Sequence, residues 1–166
     1  MRIPLLLCVL LAGCVTPYSV TDRYMGRPES HRGGGPNPFR EQVQQRVAAE
    51  QPGPWFIGRR YFKENYKFWG YVKRPGEPWA MAQLVMFNEQ QTLAPDRQGG
   101  RLGSDNGSEY KLFGDFTGEM IYEPSSNGFY PEFRIGSAEL LDPNPPSVFL
   151  NGEPNDPSKN IIQRPQ

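Results

Sequence analysis

"EYKLFGDFTGEMIYE" (residues 109–123) alternates apolar and polar side chains along its length. Tyr110, Leu112, Gly114, Phe116, Gly118, Met120 and Tyr122 fall on one face. Lys111, Asp115, Thr117, Glu119 and Glu123 fall on the other, with Phe113 and Ile121 among them. A period of two held over that distance predicts one long, half-buried strand. Glycines at 114 and 118 on the inner face let the strand coil sharply or a neighbour come close, as a small barrel requires. "PSSNG" (124–128) then turns the chain, and Phe129 to Leu141 returns as the next strand. Its inner face reads Phe129, Phe133 and Ile135, with a bulge at Gly136-Ser137 where the phase breaks. Matching the two inner faces pairs an even position with an odd one. Met120 opposite Phe133, with Glu119 opposite Arg134, is the register this predicts.

Upstream, the runs 67–73 and 80–88 flank "RPGEP" (74–78), whose Pro-Gly step marks a hairpin. The polar stretch 89–108 reads as a loop without a helix. Strands joined by hairpins, with coiling glycines, predict a mainly β domain over 55–141. It would be a small antiparallel β-barrel or curled sandwich, OB-like or SH3-like. One short helix over 37–51 precedes it: Asn37 is a good N-cap, Pro38 suits the first helical position, and Pro52-Gly53-Pro54 ends it. Phe39, Val43 and Val47 form a narrow apolar stripe that predicts docking on the helix's own domain. Residues 142–166 are dense in Pro and Asn and read as a tail, pinned at Val148-Phe149-Leu150.

A chain of 166 residues is of single-domain size. Only 37% is apolar, and 18 glycines and 18 prolines predict a modest core with many turns and linkers. Eighteen basic side chains balance eighteen acidic ones, so no overall field draws the protein to polyanions.

The first residues carry a different signal. Met1-Arg2 is a short positive start, Ile3 to Ala12 is an apolar run broken only by Pro4, and small residues precede Cys14. The run is too short to cross a bilayer as a helix and suits the apolar core of a secretory signal. Leu11-Ala12-Gly13-Cys14 resembles the lipobox of bacterial lipoproteins. The resemblance implies cleavage after residue 13 and acylation of Cys14 with palmitate-type chains. It also implies anchoring in the cell envelope, facing the periplasm. Val15, rather than Asp, after the cysteine favours the outer membrane over the inner. Residues 14–36, polar and rich in Gly, Pro and Arg, then read as a flexible lipidated tether. Cys8 would leave with the signal peptide and Cys14 would carry lipid, so no thiol remains for a disulfide, a zinc site or a nucleophile.

The segment 59–75 mixes cations with rings. Arg59, Arg60, Lys63 and Lys67 stand beside Tyr61, Trp69 and Tyr71. Such a mixture suits single-stranded nucleic acid, but an exported protein rarely meets it. In the envelope the same residues would suit a cell-wall polymer or polysaccharide, or an envelope protein. The plainer reading is alternate core rings and solvated charges.

Catalysis has little to work with. His31, the one histidine, lies in the tether. Asp115 and Glu119 would stand about 13 Å apart along one strand, too far for a glycosidase pair. Glu123 and Glu132 complete the carboxylate candidates. "SDNGSE" (104–109) lacks EF-hand spacing, and its Asn-Gly is foremost a turn. No enzyme, metal or cofactor is expected. The sequence predicts a lipid-anchored, non-catalytic binding or scaffold domain.

Overall fold

The computed structural model describes residues 37–65, 69–150 and 153–166, with Trp69 and Glu153 described by backbone only. The expected signal peptide, Cys14, the expected tether with His31, and Lys67 lie outside the described residues. Helix α1 (Pro38–Ala49) comes first, followed by β1 (Phe56–Arg60), β2 (Trp69–Lys73) and β3 (Gln83–Asn88). A one-turn helix α2 (Pro95–Gln98) leads to β4 (Glu109–Glu123) and β5 (Gly128–Asp142). The protein is mainly β, with one short helix ahead of a closed barrel of order β1-β2-β3-β5-β4. All neighbours are antiparallel except β3 and β5, which run parallel. A parallel contact needs a crossover, so the barrel is a five-stranded Greek key of the OB-like kind, not an SH3-like one. The loop expected to be helix-free holds α2, begun by Pro95. Four residues are too few for an apolar period to announce them.

Local chemistry explains the elements. The Asn37 side chain accepts the Phe39 N–H at 3.0 Å and caps α1, with Pro38 at its start. Gly76 turns the β2–β3 hairpin at φ +80°, where an L side chain is strained. β3 starts at Gln83 rather than 80 because Trp79–Met81 form a 3₁₀ turn.

β4 and β5 each run 15 residues. The bulge lies where predicted: Phe113 pairs with Ser137 and Gly114 with Ile135, leaving Gly136 between. A Cβ on Gly114 would stand 2.1 Å from the Arg134 carbonyl oxygen, so only glycine permits this approach. The register itself is corrected. Phe116, not Met120, faces Phe133, and Asp115, not Glu119, faces Arg134, with an ion pair at 2.7 Å. The cause is a second bulge, in which Thr117 to Glu119 oppose Glu132 alone, with Gly118 at φ +86°. Beyond it the ribbon outruns the barrel, since β1 reaches β4 only as far as Leu112. Met120, Tyr122 and Phe129, expected inside, are therefore exposed.

Two apolar cores result. Inside the barrel lie Phe56, Val72, Val85, Tyr110, Leu112, Phe133 and Ile135, with Ala94 closing from the α2 loop. Outside it, Ile57, Tyr61 and Tyr71 meet Val47 of α1, Trp79, Ala82, Tyr130, Val148 and Phe149. Every residue of β1 is consequently buried. Residues 142–166 are more than the pinned tail expected. Val148 and Phe149 are buried as predicted, and the chain beyond them wraps back across β1 and β2.

Candidate binding groove

Arg59, Arg60, Lys63 and Lys73 of the segment 59–75 point into the protein, whereas Arg74 is exposed. On the outer barrel face, Arg59 donates to Glu109 and, at 2.5 Å, to the Pro146 carbonyl, and it stacks on Trp79 at 4.6 Å. Lys73, across the same ring at 5.0 Å, pairs with Glu50 of the α1 C-cap at 2.5 Å. Lys63 is 0% exposed and donates to the carbonyls of Pro154 and Asp156 at 2.5 and 2.6 Å. Tyr61 donates to the Ile161 carbonyl and Tyr71 to that of Gln163, at 2.7 Å for the latter. Burial pushes both ammonium groups below the ordinary lysine value, with Glu50 opposing at Lys73 and Asp156 at Lys63, and pushes both phenols well up.

Arg60 closes one end of the barrel. Its guanidinium meets Asp96 at 3.1 Å and Asp105 at 3.4 Å, and Tyr110 donates to Asp105 at 3.2 Å. Burial raises the Asp105 carboxyl while Arg60 opposes.

An outward basic-aromatic patch is therefore not what Arg59, Arg60, Tyr61, Lys63 and Tyr71 build. The C-terminal segment, with α1, covers Arg59, Tyr61, Lys63 and Tyr71, and the 96–105 loop covers Arg60, so a polymer would have to lift that cover to reach them. Lys67 is outside the described residues, and Trp69 is known only as the β2 residue opposite Met86.

The candidate carboxylates serve structure. Asp115 holds Arg134, and Glu132 accepts from the Asn88 amide at 3.0 Å. Glu123 caps the hairpin turn, accepting the N–H groups of Ser125 and Ser126. Burial works against its charge, but these bonds prevail and hold it below the usual range. Glu119 stays exposed on the bulge. In "SDNGSE", Asp105 serves Arg60, and the Asn106 side-chain oxygen accepts the Phe62 N–H at 2.9 Å.

The concavity best suited to a ligand lies elsewhere. A groove of about 580 Å³ runs between α1, the Trp79 turn and the C-terminal segment. Phe39, Val43 and Val47 form one wall, Trp79 the floor, and Val148 to Leu150 the other wall. Its volume falls in the range of small-molecule sites. Among the described residues Arg40 is the one charged side chain that lines it, and it donates to the Gln166 side-chain oxygen at 2.7 Å. The predicted docking stripe is thus divided: Val47 packs on the barrel, while Phe39 remains 43% exposed at the rim. The sequence displayed both apolar walls but gave no sign that they meet. No protein-family model, curated protein or solved structure matches this chain.

Proposed function

We propose that this chain is a lipid-anchored protein of the bacterial envelope whose barrel is a non-catalytic binding module, with the α1 groove as its ligand surface. Leu11-Ala12-Gly13-Cys14 after a short apolar run carries the reading. Two or three acyl chains on Cys14, at about 0.8 kcal/mol per buried methylene, give durable anchoring where one chain would not. The non-acidic Val15 favours the outer membrane. The groove supports the binding half: it is apolar, open, and edged by few polar groups, the usual composition of a recognition site. Fold likeness adds nothing, since OB-like barrels host unrelated functions.

Metabolic labelling with a clickable fatty acid in a bacterial host tests the anchor. Labelling of the wild-type chain in the membrane fraction, lost in Cys14→Ser, is the expected result. An unlabelled protein with an intact N-terminus would remove the anchor and the envelope address together.

A further inference from the structure

We infer that the α1 groove takes a single long-chain fatty acid, with the chain along the trough and the carboxylate at Arg40. This names the ligand of the binding module proposed above and does not depend on the anchor. The walls supply apolar contact without polar demands: Phe39 and Val43 on one side, Phe149 and Leu150 on the other, Trp79 beneath. The α1 wall runs from Phe39 to Ala48, about 13 Å at the helical rise. A wall of that length lines part of a long acyl chain, and the groove volume leaves room for the rest to bend across the floor.

Chemistry separates an acyl chain from a peptide. An extended peptide brings an N–H and a carbonyl at every residue, and each needs a partner when taken from water. The groove is bordered by a helix flank and by the irregular segments 76–80 and 147–150, with no strand edge to pair them. An acyl chain carries no such groups. The charge points the same way. Among the described residues no Asp or Glu side chain lines the groove, and Arg40 sits exposed at its mouth with the Gln166 side-chain amide oxygen as its hydrogen-bond acceptor. A guanidinium so placed complements a carboxylate and has donors in a fixed fork to meet it.

Trp79 provides the readout. It is buried, has the Arg59 and Lys73 cations against its ring, and lines the groove. The full chain carrying Cys14→Ser, which cannot bear an acyl group of its own, is titrated with dibrominated stearic acid and with its methyl ester while tryptophan emission is followed. Saturable quenching by the acid is expected, with weaker binding of the ester. Trp79→Phe should remove most of the quenching, which separates this site from Trp55 and Trp69. Phe39→Asp and Leu150→Asp, at rim positions 43% and 51% exposed, should keep the far-ultraviolet spectrum and weaken binding about tenfold or more. Arg40→Gln should close the gap between acid and ester.

Absence of saturable quenching, or unchanged binding in both rim variants, would overturn the proposal. Equal binding of acid and ester by the wild type would overturn the role of Arg40. Failure here alongside Cys14-dependent labelling would remove the ligand and leave the anchor standing.

Discussion

The inside of the barrel and the layer wrapped outside it are both shut off from water, yet they are made of different chemistry. Inside, Phe133 is the hub: its ring meets Phe56, Phe116 and Phe87 edge-on at 5.1, 5.2 and 6.3 Å, with Val72 and Val85 filling the remainder. Outside, Tyr61, Tyr71, Trp79 and Phe149 share their space with Arg59, Lys63 and Lys73. Apolar groups need only neighbours of the right volume, whereas a buried cation needs a specific acceptor. Those acceptors come from far along the chain. Glu109 lies 50 residues from Arg59, Glu50 lies 23 from Lys73, and the Pro154 carbonyl lies 91 from Lys63. An inner core can be assembled from a pattern; this outer layer is assembled from pairings.

The difference can be broken most severely from within. Phe133→Ala removes a ring 0% exposed, touched by three others, and should cost about 3–5 kcal/mol in urea unfolding. A loss below about 1 kcal/mol would mean that the inner core closes over the gap and is looser than its ring contacts imply.

A smaller effect sharpens the outer layer. The Tyr61 and Tyr71 phenols, raised by burial, hold their protons in the fold, while the unfolded chain releases them near the ordinary value of 10.0. Above that value the unfolded state binds fewer protons than the folded one, so stability falls as pH rises. Tyr71 alone removes up to about 1.4 kcal/mol for each pH unit. Lys63 and Lys73, lowered by burial, act in the opposite sense, but only below their ordinary value of 10.5. Stability should therefore decline plainly above pH 10.5, with tyrosinate absorbance rising in step with loss of the circular dichroism signal. Gradual ionisation of all tyrosines near pH 10 with the fold intact would show the phenols to be open to solvent.

What could be read in advance follows the same division. The alternation of β4 as far as Phe116, the bulge at Gly136 and the Asn37 cap are local signals, and each is present in the structure. The register slipped because Gly118 lets β4 insert two extra residues, which periodicity alone cannot count. The burial of Arg59, Arg60 and Lys63 was hidden because a cation in a strand looks solvated until its distant partner is placed. The segment 142–166 looked like a tail because it attaches through backbone carbonyls, which any sequence possesses. The groove was half legible: the stripe Phe39, Val43, Val47 was visible, and its opposite wall, more than a hundred residues away, was not.

That the buried cations between Arg59 and Lys73 are structural is tested most directly at the two lysine amines. The native protein is treated briefly with an amine-acylating reagent, and modification is quantified by mass spectrometry at each site. Lys159, which is exposed, should react readily, while Lys63 and Lys73 stay protected until the protein is unfolded. Modification of Lys63 or Lys73 at the rate of Lys159 in the folded protein would contradict the inward placement and return the basic-aromatic segment to the surface as a ligand site.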